Sequence, residues 1–183
     1  VDGLAKIDLV RDYPPLGWLM EAYGVIWVHR GQPDRRALRA GLQGFREGRI
    51  VAVAPEGRES LIGGLEPGMG GAAYLALKAG VPVVPIVFMG TENNRIIGSL
   101  RRLKRTKISM TIGAAFNLRL ESQTQDSYRS GSAYHEDEKE GAYPMSRGLI
   151  SKQAIDQGTR TIMLELAKLL PPEYRGVYQK EIE

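Results

Sequence analysis

The sequence predicts an α/β fold with a mainly parallel central sheet flanked by helices. Three observations carry that expectation. Short apolar runs, VIWV (25–28), IVAVA (50–54) and VPVVPIVF (81–88), have the length and β-branched content of buried strands. Segments of helical period separate them, which is the alternation of a parallel sheet with crossover helices. Polar turns, VHRG and APEGRES, follow the first two runs, at the strand ends where such sheets hold ligands.

The elements follow in order. LGWLMEAYG (16–24) has helical spacing, with Pro14 and Pro15 before it and Gly24 after it. VIWV is the first of the strands, and Pro33 suits the start of a helix because its missing N–H is not needed there. Leu38, Leu42 and Phe45 form the expected buried stripe of that helix, and Gly48 ends it. After IVAVA, Gly68 to Leu77 reads as a helix closed at Gly80. VPVVPIVF and the alternating KISMTIG (107–113) read as a third and a fourth strand. Pro85 within the third points to an edge or a bulge. Ser151 is the expected cap of a last helix with Ile155, Ile162, Leu166 and Leu169 on one face. Gly158 weakens that helix, and Pro171-Pro172 stops it. Between these, residues 121–148 are polar, acidic and aperiodic, and are expected to be a mobile insertion. With no internal repeat and no second core pattern, residues 1–183 are expected to form one domain.

Composition narrows the function. A hydrophobic fraction of 43% excludes a disordered chain. The absence of cysteine excludes disulfides and thiolate chemistry, and fits a reducing compartment. A net charge of +4 suits anionic partners such as phosphates or lipid headgroups. No apolar run is long enough for a transmembrane helix, and no signal peptide is present. The first residue is valine, which suggests a missing upstream end.

Four ordered stretches carry a resemblance. GVIWVHRG is similar to a strand ending in Val-Asp-Arg-Gly. APEGRES is similar to a Phe-Pro-Glu-Gly-Thr-Arg-Ser block. GVPVVPIVFMGTE is similar to a Val-Pro-Ile-Val-Pro-Val block, and AKIDL (5–9) with LGWLMEAYG to the segment before the arginine strand. The tail LLPPEYRGVY (169–178) fits as well. Together they resemble the glycerophospholipid acyltransferases, and among them the bacterial 1-acyl-sn-glycerol-3-phosphate acyltransferases. The resemblance implies transfer of a fatty acyl group from acyl-CoA or acyl-carrier protein to the free hydroxyl of a lysophosphatidate-like acceptor. It implies a co-substrate thioester but no cofactor and no metal. It also implies a cytoplasmic enzyme, peripheral on the inner face of an anionic membrane.

Physical chemistry supports the same residues. A phosphate wants guanidinium forks and backbone N–H donors. Arg30 and Arg58 follow the ends of two strands, and Gly57 lets the backbone approach a ligand. An ionised Glu56 only accepts hydrogen bonds, so it suits a glycerol hydroxyl or an arginine. Ser60 shapes the same turn, and Lys6 is a further candidate for the acceptor phosphate, an ordinary exposed lysine being the alternative. The chain departs from the pattern at His29, where aspartate is usual. It departs again at Arg58-Glu59, which puts the guanidinium one position early.

By resemblance the general base is the histidine of an upstream His-x-x-x-x-Asp block, and no such block precedes Ala5. The expectation is a truncated chain with no catalytic pair of its own, and little activity as it stands. HRGQPD, with His29 and Asp34, spells the same spacing but occupies the arginine-strand position, so it reads as a decoy. A non-catalytic lipid-phosphate binding domain of the same fold remains the alternative.

Three further features have plain readings beside their functional ones. GMGGAA (68–73) matches a dinucleotide-binding fingerprint but lacks its preceding strand, so tight helix packing is the better reading. SLRRLKRTK (99–107) gathers five cations, as a solvated run or as a contact for anionic lipid. It lacks the interleaved aromatics of a nucleic-acid surface. Trp18, Met20, Tyr23 and Trp27 read as core packing, or as an apolar patch touching lipid.

Overall fold

The computed structural model describes the backbone of residues 2–6 and 26–28, and residues 34–58, 60, 62–91, 105–118 and 149–182 in full. The expected helix at 16–24, the cluster around Trp18 and the insertion at 121–148 lie outside the described residues. Chain order is β1 (Asp2–Lys6), β2 (Ile26–Val28), α1 (Arg35–Arg46), β3 (Val51–Ala52), α2 (Gly71–Ala79), β4 (Ile86–Met89), β5 (Ser109–Ile112) and α3 (Lys152–Lys168). Two 3-10 turns, Pro172–Tyr174 and Gly176–Glu181, complete it.

The fold is mixed α/β, with the described strands in two sheets. β1 is central in a parallel sheet of order β2-β1-β3, with Lys6 opposite Val28 and Gly3 opposite Ala52. β4 and β5 pair antiparallel, Ile86 with Ile112 and Phe88 with Met110. The third and fourth expected strands therefore pair with each other, and do not extend the parallel sheet. Alternation along a strand fixes which residues share a face. It does not fix the direction of the neighbour, which is a non-local choice. The run 81–88 is also interrupted. Val83 makes a separate bridge to Phe116, and Pro85, which has no N–H, offers its carbonyl to Gly113 N–H at 2.9 Å.

Local signals set the helix ends. α1 starts at Arg35, two residues after Pro33, because the Asp34 carboxylate accepts the Arg36 and Ala37 N–H groups at 2.9 and 3.1 Å. It ends where Gly48 N–H reaches Phe45 O at 3.0 Å and Arg49 N–H reaches Gly44 O at 2.9 Å. Its most buried residues are Ala37, Gly41 and Gly44; Leu38, Leu42 and Phe45 flank them, half-buried. Ser151 Oγ accepts Ala154 N–H at 3.1 Å at the start of α3.

α2 and α3 pack through small residues. Gly158 is buried, and a Cβ there would stand 3.2 Å from Ala73 Cβ. The expected weak point of α3 is thus a place where α2 packs against it, through Ala73 and Leu77, which offsets the propensity cost of about 1 kcal/mol. The main core unites Leu65, Ala73, Val87, Ile162, Met163, Leu166 and Tyr178. A second cluster of Ala76, Ala79 and Val81 lies under Leu42 and Phe45. No described helix is long and apolar enough to cross a membrane.

Candidate functional site

The parallel register defines one edge. From the pair Gly3–Ala52, three residues further along each strand give Lys6 and Pro55, and Lys6 is itself opposite Val28. The ends of β1 and β2 and the start of the 55–58 turn are therefore level. Parallel direction brings their carboxyl ends to the same edge of the sheet, and the register sets their level.

The turn is built by short-range hydrogen bonds. Gly57 N–H donates to Ala54 O at 3.0 Å, closing the chain on itself. Gly57 has φ +67°, a left-handed conformation that strains any residue with a Cβ. Met69 N–H reaches back to Pro55 O at 2.7 Å, so the loop that leaves at Arg58 returns beside its start. Ser60 Oγ donates to Gly64 O at 2.5 Å within that loop. The start of α2 follows, with no strand among the described residues between Arg58 and Gly71, which agrees with helix packing as the reading of GMGGAA. Gly68 and Gly70 lie against Met163 and Ile155 of α3.

Three charged side chains meet here. Glu56 Oε1 accepts the Glu66 N–H at 2.5 Å. Arg58 Nη2 donates to Glu66 Oε2 in a salt bridge. Glu66 is only 7% exposed, while the Arg58 side chain is 47% exposed. The carboxylate lies inside and the guanidinium reaches outward from it. Burial pushes the Glu56 carboxyl above the usual glutamate value; the Glu66 N–H opposes this, the Glu66 charge adds to it, and Arg58 opposes it. The result is an anchored guanidinium beside a carboxyl that prefers its proton more than a free glutamate does. One can donate to an anion and the other can bond a hydroxyl.

Sequence reasoning found Glu56, Gly57, Arg58 and Ser60 in one turn, and the structure brings them together. It missed Glu66, which holds Arg58 and whose N–H engages Glu56. The available signal was an acid inside the otherwise apolar GGLEP stretch (63–67), which reads as a loop. Lys6 ends β1 on the same edge, while its side chain, like Arg30 and His29, lies outside the described residues. Asp34 is placed, and its carboxylate caps α1. Arg105 and Lys107 of the basic run are exposed. Among the described residues, no group of three or more His, Cys, Asp or Glu side chains could hold a metal ion.

Comparison with known proteins bears on the half of the chain that contains this turn. Residues 2–89 match the Acyltransferase family profile. Over 88 residues the chain is 40% identical to a chloroplastic 1-acyl-sn-glycerol-3-phosphate acyltransferase of Brassica napus, covering 47% of this chain and 26% of the relative. A 1-acyl-sn-glycerol-3-phosphate acyltransferase of Chlamydomonas reinhardtii is 34% identical over 106 residues, 56% of this chain and 31% of the relative. A lyso-ornithine lipid O-acyltransferase of Pseudomonas aeruginosa is 35% identical over 84 residues, 45% of this chain and 32% of the relative. The matched stretch thus spans a quarter to a third of the length of these curated relatives. No solved structure matches.

Proposed function

We propose that the protein is a glycerophospholipid acyltransferase that moves a fatty acyl group onto the free hydroxyl of a 1-acyl-glycerol-3-phosphate-like acceptor; the match of residues 2–89 to the Acyltransferase profile and the likeness to 1-acyl-sn-glycerol-3-phosphate acyltransferases support this reading. The donor is an acyl-CoA or acyl-carrier-protein thioester. The hydroxyl oxygen attacks the thioester carbonyl, its proton passes to a general base, and the thiol leaves with a proton. This chain supplies the acceptor site: Arg30, Arg58 and Lys6 face the phosphate, and Glu56, Gly57 and Ser60 shape the place of the glycerol.

The observation that carries this is the common edge. Lys6, the end of β2 and the Glu56–Arg58 turn stand level in the parallel register, and Arg58 is anchored on the buried Glu66. Cations borne by neighbouring strand ends would suit a dianion, and the Glu66 anchor lowers the entropy lost when Arg58 binds one. The same anchor supports a role for a guanidinium that stands one position early. Glu66 holds it beside the turn.

By resemblance, the general base is the histidine of a His-x-x-x-x-Asp block. Asp34, one half of the decoy pair, is already engaged at the α1 cap, so residues 1–183 alone should transfer acyl groups slowly or not at all. The membrane is the expected source of acceptor, with the exposed Arg105 and Lys107 facing anionic lipid on the cytoplasmic side. Nucleic acid is not an expected partner.

The test is a radiolabelled acyl-transfer assay on the full-length protein, with lysophosphatidate set against a phosphate-free lysolipid. Arg30→Ala and Arg58→Ala should each lower kcat/KM for the phosphorylated acceptor by roughly 10- to 100-fold, the worth of one charge-assisted hydrogen bond. Neither should change the preference among acyl donors. Tight binding of lysophosphatidate with no transfer would favour the lipid-phosphate binding domain instead.

A further inference from the structure

The loop between Arg58 and α2 has no helix or strand among its described residues, so distant contacts must position it. They come from the carboxyl-terminal 3-10 turns. Leu65 N–H donates to Tyr174 O at 3.0 Å, and Leu65 O accepts Val177 N–H at 3.1 Å. Gly68 N–H donates to the Tyr178 hydroxyl at 3.1 Å, across 110 residues of sequence. Tyr178 is itself buried, in the same core cluster as Leu65 and Met163.

The approach is backbone on backbone. Gly176 has φ +53°, and a Cβ there would fall on the Leu65 carbonyl oxygen and 2.7 Å from Leu65 N. On the other side, a Cβ on Gly64 would stand 3.2 Å from Gly176 Cα. A side chain at position 176 must therefore push the tail off the loop. The residue after Leu65 is Glu66, whose N–H is held by Glu56 and whose carboxylate holds Arg58. A displacement of Leu65 thus reaches both groups through one peptide.

We propose that the tail is a positioning clamp for the headgroup site. Gly176 and Tyr178 are positioning residues that act through Leu65 and Glu66 on the Glu56 carboxyl and the Arg58 guanidinium. What the site holds rests on the acyltransferase reading; the clamp itself rests on the contacts above. A loosened clamp weakens capture of the acceptor phosphate and glycerol. The thioester donor should be less affected, because the two groups that Glu66 engages, Glu56 and Arg58, are the ones assigned to the acceptor.

Two variants of the full-length protein test this. Tyr178→Phe keeps the ring in the core and removes the oxygen that accepts the Gly68 N–H; Gly176→Ala drives a methyl into Leu65. Residue-resolved hydrogen exchange and steady-state kinetics with varied acceptor and varied thioester are the measurements. For Tyr178→Phe, the amides of Leu65, Glu66 and Gly68 should exchange about 5- to 10-fold faster, while α2 and α3 keep their protection. Acceptor KM should rise by about the same factor, with thioester KM and kcat within about twofold. Gly176→Ala should do more of both; if it does not fold, Tyr178→Phe alone decides. Unchanged exchange at Leu65–Gly68 overturns the clamp, as does faster exchange spread evenly over α2 and α3. Acceptor and donor KM rising together overturns its link to the headgroup site. A wild-type protein with no transfer to any lysophospholipid overturns the acyltransferase reading, and the exchange pattern then still decides the clamp.

Discussion

The 54–68 turn and the β4·β5 pair are opposite solutions to the same requirement. In the turn the described residues form no regular ladder, yet the polar groups of Glu56, Arg58, Ser60 and Glu66 all have partners. In β4·β5 the ladder is regular, yet one face stands in solvent: Ile86 and Phe88 on one strand, Met110 and Ile112 on the other, with Val84 and Ile108 beyond them. The opposite face carries Val87 into the core. Backbone pairing can be completed locally, whereas burial needs something to pack against. The turn is fixed by named polar contacts, so it should respond to single polar substitutions. The sheet is fixed by its buried face alone, so its two faces should respond differently.

The largest expected effect is on that buried face. Val87→Ala removes packed methyl groups and should destabilise the fold by about 1.5–2 kcal/mol, read as a lower urea midpoint at constant slope. Glu66→Ala comes next. It removes the anchor of a half-exposed arginine and the carboxylate beside Glu56, and should cost about 1 kcal/mol after allowance for solvent at Arg58. Glu66→Gln should recover part of this, because an amide oxygen still accepts from Arg58. Equal losses in Glu66→Ala and Glu66→Gln would mean that charge, not the hydrogen bond, sets the turn.

A smaller effect depends on pH. The Glu56 carboxyl lies above its usual value in the folded protein, so the folded state binds its proton more tightly than the unfolded chain does. Its stability contribution is full below the unfolded value and is lost as pH rises through the folded one. Glu56→Gln should therefore gain stability relative to wild type between acid and neutral pH, measured as the difference in melting temperature across that range. A flat difference would show that burial does not govern Glu56. The smallest effect belongs to the exposed face. Phe88→Thr should shift stability by no more than about 0.5–1 kcal/mol, the worth of its cross-strand pair with Met110. A loss as large as that of Val87→Ala would show that this face is covered in solution.

Legibility in the sequence follows the same division. Gly48, Gly80 and Ser151 announce helix ends because a cap is made within a few residues, and the start of α1 falls two residues after the Pro33 that suggests it. The Pro-Glu-Gly-Arg turn is legible for that reason too, with Gly57 required by a local dihedral angle. The partner of Arg58 is not legible. Glu66 is eight residues away, and a string of residues does not say which of two nearby acids an arginine will choose. Nor is the antiparallel direction of β4·β5, or the value of Gly158, which depends on Ala73 of another helix.

By itself, then, the sequence determined the α/β character, the ends of the helices, the polar turn after β3 and the residue types gathered there. Each is decided by interactions across a few positions, where chain connectivity already brings the groups together. Only the tertiary structure decided that β4 pairs with β5, that Glu66 rather than Glu56 holds Arg58, and that the tail at Tyr174–Tyr178 grips the loop at Leu65–Gly68. Those contacts join groups from 8 to 110 positions apart along the chain, beyond the reach of a single turn. Their formation depends on which surfaces the packed helices and strands leave adjacent, and no local pattern encodes that.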